Sequence, residues 1–118
     1  MNLKLTRKDF VEIDGYLKYQ KQLNVEGNLS IEGNLGYIKF EFGISASGSI
    51  IVEAGSGIEA GWGIEAGRGI KAGWGIEAGS GIEAGEGIEA GEGIKAGWGI
   101  EAGSGIKAGE GIKAGSCI

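Results

Sequence analysis

The sequence predicts an all-β protein, a single-chain β-solenoid of stacked hexad strands with a small N-terminal cap. From residue 55 onward the chain repeats the unit Gly-Ile-(Glu/Lys)-Ala-Gly-x, and a fixed short period is typical of repeat architectures. Within each unit Ile and Ala are two residues apart with a charged residue between them, so on a strand both apolar side chains point to one face. A single unit cannot bury its Ile, whereas stacked coils can.

Composition excludes several other classes. The chain has 118 residues with 27 Gly and no Pro; collagen needs abundant Pro, and a flexible Gly-rich linker would not place Ile at every sixth position. The sequence has no His, so no imidazole is available as a general base or metal ligand. We therefore expect no enzymatic activity, no catalytic residue, no metal and no cofactor.

The compartment is predicted from what the sequence lacks. No apolar stretch approaches the roughly 20 residues of a membrane span, and the first residues, MNLKLTRKDF, lack the apolar core of a signal peptide. The single Cys117 cannot form an internal disulfide. We expect a cytoplasmic protein without a membrane partner, in the cytoplasm of a bacterial host cell if it is phage-encoded.

The chain divides into a cap and a solenoid. We predict that residues 1–22 form a polar N-terminal cap, which a solenoid needs to protect its first coil. Thr6 and Asp9 have the spacing of a helix start. Residues 23–118 form the solenoid, with irregular rungs over 23–54 and regular repeats over 55–118.

The variable x residues favour about twelve residues per coil. On that period all three tryptophans stack at one corner, whereas the serines of the repeat stack at the other. Residues 57–80 and 81–104 are nearly identical, which two coils of twelve explain, although duplication of DNA produces the same period. An eighteen-residue coil, as in the left-handed β-helix, mixes Trp with Ser and is the alternative.

The pattern resembles that of hexapeptide-repeat β-helix proteins over residues 23–118, because LNVEGNLSIEGNL already steps by six through Val25 and Ile31. The left-handed family has a small inward residue two positions before the aliphatic one, where this chain has Trp62, Arg68 or Glu86. The acyltransferases of that family also rely on a histidine that this chain lacks. The resemblance therefore implies the architecture alone.

Outward residues on the twelve-residue period predict a partner-binding surface. One row mostly alternates in charge and is expected to neutralise itself: Glu59, Lys71, Glu83, Lys95 and Lys107. The other is acidic: Glu53, Glu65, Glu77, Glu89 and Glu101. Like charges stacked about 4.8 Å apart repel, and the repeat accepts Lys elsewhere, so the acidic row indicates a binding role. Its alternative origin is drift after duplication.

The tryptophans predict an aromatic contact beside the acidic row. Trp62, Trp74 and Trp98 would lie outside the core at one corner, and exposed Trp is enriched in interaction hot spots. The alternative is that these side chains merely cover the glycine corners and pack on each other.

The predicted function is that of a non-enzymatic acidic binding protein. The net charge is −5, and a rigid carboxylate ladder can occupy a basic surface that normally binds nucleic acid, because the carboxylates replace phosphates. The chain itself would repel nucleic acid. In size, acidity and lack of catalytic residues it is similar to small phage inhibitors of defence nucleases, anti-CRISPR proteins included, which implies an inhibitor of such a nuclease. The alternative is a self-assembling structural β-helix, bactofilin-like or phage-spike-like.

The end of the sequence predicts self-association. The repeat closes with GSCI, in which Cys stands where Gly is expected, and an open solenoid end with unpaired backbone groups favours addition of another copy. We expect a homodimer through the C-terminal end, with Ile106, Ile112, Cys117 and Ile118 at the contact.

Overall fold

The computed structural model describes residues 2–109 and 111–114, and it confirms an all-β solenoid of stacked parallel strands. A single 3-10 turn, Arg7–Asp9, interrupts the strands of the described residues. The strands are β1 Leu3–Leu5, β2 Val11–Ile13, β3 Tyr16–Tyr19, β4 Leu23–Val25, β5 Leu29–Ile31, β6 Gly36–Phe40, β7 Ile44–Ala46, β8 Ile50–Val52, β9 Ser56–Ala60, β10 Ile64–Ala66, β11 Ile70–Ala72, β12 Ile76–Ala78, β13 Ile82–Ala84, β14 Gly87–Ala90, β15 Ile94–Ala96, β16 Ile100–Ala102, β17 Gly105–Ala108 and β18 Ile112–Ala114.

The strands form three sheets, because each coil contributes one strand to each side of the solenoid. Sheet 1 has the order β1-β5-β8-β11-β14-β17, sheet 2 the order β4-β7-β10-β13-β16, and sheet 3 the order β2-β3-β6-β9-β12-β15-β18. The pairing is parallel except between β2 and β3, which form an antiparallel hairpin. The described chain is a short prism of 34 × 31 × 23 Å rather than a long rod.

The favoured twelve-residue coil is wrong, and the structure has the eighteen-residue spacing of the alternative in its regular part. Ile64 pairs with Ile82, eighteen residues later, whereas Ile44 pairs with Ile64, twenty residues later. Three hexads therefore make one regular coil, and the earlier coils are longer because their corners hold extra residues. The variable x residues favoured a twelve-residue coil because residues 57–80 recur as residues 81–104. This recurrence is a property of the sequence and does not correspond to a whole number of coils.

The core consists of the ladders that the repeat predicts. Ile58, Ile64 and Ile70, one from each sheet, are at most 1% exposed, and the Ala two residues after each of them is also buried. The residue between Ile and Ala points outward, as the two-residue period of a strand requires. Burying the aliphatic ladders supplies the main stabilisation, at about 25 cal/mol for each Å² of apolar surface removed from water.

The first residues extend the sheets and close one end of the core. Strand β1 pairs with β5, and β3 pairs with β6. Phe10 is buried and packs edge-on against Tyr19 and Phe40, with ring centroids 6.2 and 6.0 Å away. The backbone N–H of Thr6 donates to Asp9 Oδ2 at 2.8 Å, so the predicted helix start is a single 3-10 turn.

The corners of successive coils lie in close contact. The two glycines of each corner differ in how closely they approach the backbone of the neighbouring coil. A Cβ on Gly85, which follows Ala84, would lie 2.1 Å from the carbonyl oxygen of Gly67 in the previous coil. A Cβ on Gly87, which precedes Ile88, would lie 3.4 Å from the nearest such oxygen, that of Gly105. Coil stacking therefore requires the glycine after Ala and only favours the glycine before Ile.

Candidate functional site

The outward face of sheet 2 carries a ladder of glutamates. Strands β10, β13 and β16 pair in register, so that Glu65 lies beside Glu83 and Glu83 beside Glu101. All three are exposed, and parallel strands place them about 4.8 Å apart. The earlier strands of this sheet carry Asn24 and Ser45 at the same position. We call Glu65, Glu83 and Glu101 the acidic face.

The outward faces of the other two sheets mix charges of both signs. In sheet 1 Glu89 lies between Lys71 and Lys107. In sheet 3 Lys39 Nζ lies 3.9 Å from Glu59 Oε1, and Glu77 pairs in register with Lys95. In sheet 3 Glu77 also pairs with Glu59, and Lys95 with Lys113. Each of these two faces nevertheless carries both signs of charge, which leaves sheet 2 as the acidic side of the solenoid.

Two tryptophans border the acidic face. Trp62 and Trp98 lie at the corner between sheets 3 and 2, with Ser80 between them in the intervening coil. The N–H of Ser80 donates to the Trp62 carbonyl at 2.9 Å, and the N–H of Trp98 donates to the Ser80 carbonyl at 2.8 Å. The exposed fractions of Trp62 and Trp98 are 59% and 71%. Phe42, one coil earlier, holds Trp62 edge-on, with ring centroids 5.6 Å apart.

A shallow groove connects the indoles with the carboxylates. It has a volume of about 630 Å³, and both tryptophans and all three glutamates line it. A second groove, of about 740 Å³, follows the other side of the same glutamates. The acidic face is thus a ridge of carboxylates between two furrows, with aromatic surface along one of them. Such a surface can hold cations by charge and by contact with indole.

Trp74 lies at a different corner and has a different environment. It is half-buried and packs against Tyr37, with ring centroids 5.5 Å apart. The Tyr37 hydroxyl donates to Glu92 Oε1 at 3.2 Å. Burial, and after it the charge of Glu92, raises the pKa of Tyr37 above its ordinary value of about 10. Tyr37 therefore remains a neutral hydrogen-bond donor, and Trp74 is part of this local cluster.

The two predicted rows of charge do not exist as rows, because each depends on the twelve-residue coil. Of the predicted acidic row, the structure brings together Glu65 and Glu101, whereas Glu77 lies in sheet 3 and Glu89 in sheet 1. Glu53 lies after β8 and accepts from Lys4 Nζ at 3.3 Å. The predicted stacking of Trp62 on Trp74 in adjacent coils is also wrong.

Glu83 is the member of the acidic face that the sequence analysis missed. It stood in the row predicted to neutralise itself, whereas the structure places it between two other glutamates. The signal that identifies it is the eighteen-residue spacing, since residues 65, 83 and 101 are all Glu. The other members of that row are also separated: Glu59 and Lys95 lie in sheet 3, and Lys71 and Lys107 lie in sheet 1.

The residues predicted for self-association lie in the last coil and beyond it. Ile106 is half-buried against the core and Ile112 is 38% exposed. Cys117 and Ile118 lie outside the described residues. The homodimer through this end stays a prediction.

Two further observations concern the described residues, 2–109 and 111–114. Within these ranges no three Cys, Asp or Glu side chains are grouped so that they could hold a metal ion. No helix in the same ranges has the length and apolarity needed to cross a membrane.

The fold and this face define a class, a β-solenoid of parallel strands with one acidic side bordered by exposed tryptophans. Comparison with protein families, with curated proteins and with solved structures finds no match. The function is therefore inferred from the face itself.

The charge of the quenching ion tests the electrostatics around the two exposed tryptophans. In a Trp74→Phe variant the emission comes from Trp62 and Trp98, and we expect caesium ions to quench it more strongly than iodide ions. The acidic face attracts the cation and repels the anion, over about 10 Å at 0.1 M salt. Changing Glu65, Glu83 and Glu101 to Gln should remove the difference. Equal quenching by both ions before that change would contradict a negative potential at the groove.

Proposed function

We propose that this chain is a non-enzymatic binding protein whose acidic face occupies a basic surface of a partner protein. The observation that carries the proposal is the ladder Glu65–Glu83–Glu101. Every charged residue at the centre of a strand in sheet 2 is one of these three glutamates. Stacked like charges destabilise a sheet. Sheet 1 alternates Lys71, Glu89 and Lys107, and sheet 3 carries Lys as well as Glu although some of its like charges stack. The three glutamates of sheet 2 have no Lys neighbour in register. A destabilising arrangement on one face supports a role in binding.

The partner surface that suits this ladder is one that normally binds nucleic acid. Carboxylates about 4.8 Å apart present a regular line of negative charge, and each strand of DNA presents one phosphate for about every 3.4 Å of helix axis. A basic groove that takes up the acidic face pairs its Lys and Arg side chains with carboxylates in place of phosphates, so this binding also weakens as salt rises. The concrete form of the proposal is an inhibitor that blocks the nucleic-acid groove of a nuclease.

A cationic peptide of nine arginines, labelled with fluorescein, tests the face directly by fluorescence anisotropy. We expect the triple variant Glu65→Gln, Glu83→Gln, Glu101→Gln to bind this peptide at least tenfold more weakly than the unchanged protein. The affinity of the unchanged protein should fall steeply as salt rises, because salt screens exposed charges. When these two proteins are used to capture partners from a bacterial lysate, the unchanged protein should capture more of the partner than the triple variant, and duplex DNA should displace the captured partner.

The matched control is a second triple variant, Glu59→Gln, Glu77→Gln, Glu89→Gln. It changes the net charge by the same amount but alters sheets 3 and 1. We expect it to bind the peptide almost as tightly as the unchanged protein. If both triple variants lose affinity equally, binding depends on net charge alone and the acidic face is not a docking surface.

A further inference from the structure

The corner beside the acidic face contains a gap between two indoles. Trp62, Ser80 and Trp98 occupy the same corner position in three successive coils, and backbone hydrogen bonds of 2.9 and 2.8 Å connect them. The backbones of the two tryptophans are therefore two strand spacings apart, about 9.6 Å. Only the small side chain of Ser80 lies between them. We call these three residues the tryptophan gap.

The size of the gap suits one flat group. Atoms in van der Waals contact are about 3.5 Å apart, so a planar group with an indole on each side needs about 7 Å between the rings. The backbone positions of the two tryptophans are farther apart than this, so rotation of the exposed side chains can bring both indoles against one flat group. Phe42, one coil earlier, packs edge-on with Trp62, and Trp62 remains 59% exposed and open to a ligand.

The groove adds a requirement for positive charge. Glu65, Glu83 and Glu101 line the same groove as the two indoles, and all three carboxylates are exposed. A group that enters the gap must therefore be flat and cationic, and it must reach a carboxylate from the gap. The guanidinium of arginine has all three properties, because it stacks on aromatic rings and pairs with carboxylate through two parallel hydrogen bonds.

We infer that the tryptophan gap is an arginine-binding subsite, in which a guanidinium of the partner protein stacks between Trp62 and Trp98 and pairs with the acidic face. The inference rests on the proposed function, and it narrows the partner surface from basic to arginine-bearing. Lysine is a poorer ligand for the gap, since its ammonium is a compact, strongly hydrated charge that cannot stack as a plane.

Peptides of nine arginines and of nine lysines have the same charge and test the subsite by anisotropy. We expect the unchanged protein to bind the arginine peptide about tenfold more tightly than the lysine peptide. In a Trp98→Ala variant the preference should fall to about twofold, because one wall of the gap is lost. Trp98 is 71% exposed, so this change leaves the core intact.

A second pair of variants blocks the gap without removing an indole. Ser80→Trp fills the space between the tryptophans and should reduce the arginine preference in the same way. Ser104→Trp places the same side chain at the corner between sheets 2 and 1, where residue 104 is exposed, and should leave the preference unchanged. An arginine preference that both Trp98→Ala and Ser80→Trp leave intact, or no preference in the unchanged protein, overturns the inference.

The outcomes separate the subsite from the proposed function. If binding of both peptides requires Glu65, Glu83 and Glu101 but shows no arginine preference, the subsite fails and the acidic docking face stands. If the triple glutamine variant binds as tightly as the unchanged protein, the docking face fails and the subsite fails with it.

Discussion

Gly85→Ala is expected to destabilise the protein by about 3 kcal/mol, at the upper end of the usual cost of overpacking. The added Cβ would lie 2.1 Å from the carbonyl oxygen of Gly67 and 3.1 Å from its carbonyl carbon. Both are backbone atoms, so no side chain can move aside, and the two coils must separate. Thermal unfolding followed by far-ultraviolet circular dichroism should show a midpoint lower by about 10 °C.

Gly87→Ala is the matched control, since it makes the same chemical change at the other end of the same corner. Its Cβ would lie 3.4 Å from the carbonyl oxygen of Gly105, which is within reach of ordinary contact. Neither glycine has a φ in the left-handed region, so backbone strain does not separate the two variants. We expect Gly87→Ala to change the stability by less than about 1 kcal/mol. Equal losses from both changes would mean that coil stacking is not what requires the glycine after Ala.

The solenoid could be predicted because the repeat determines which side chains point inward. Ile64 and Ala66 must share a face, Glu65 must oppose them, and only stacking buries that face. The number of residues per coil could not be read from this pattern. Every hexad has the same inward residues, so the same side chains are buried whether Ile64 pairs with residue 76 or with residue 82. The structure selects residue 82.

The composition of the candidate site depends on the number of residues per coil. This dependence explains which part of the site the sequence could predict. Exposed charge and exposed Trp were predicted correctly for Glu65, Glu101, Trp62 and Trp98, because they depend on local alternation and on the corner position. Which of these residues are neighbours depends on the register between coils, which local alternation does not determine. Glu83 and Ser80 therefore became part of the site only once the structure gave the eighteen-residue spacing.

Glu83→Lys is expected to stabilise the protein and to weaken its binding. The new ammonium lies between Glu65 and Glu101 in register, so two repulsive neighbours become two attractive ones, each worth about 0.2–1 kcal/mol. The unfolding midpoint should rise by a few degrees. The same change places a positive charge in the middle of the acidic face, and the affinity for the nine-arginine peptide should fall by at least tenfold.

Glu89→Lys changes the net charge identically, six residues later in sheet 1, and it should do the reverse. Glu89 lies between Lys71 and Lys107, so the variant stacks three lysines and should lower the midpoint, while peptide binding remains nearly unchanged. Opposite signs of the stability change at two equivalent hexad positions would show that the register between coils, and not the repeat unit, determines the energy of each charge. The glutamate ladder was either retained for binding or left by duplication. A gain of stability together with a loss of binding, seen for the Glu83 variant and not for the Glu89 variant, would support retention for binding. If Glu83→Lys binds the peptide as tightly as the unchanged protein, the ladder has no part in docking.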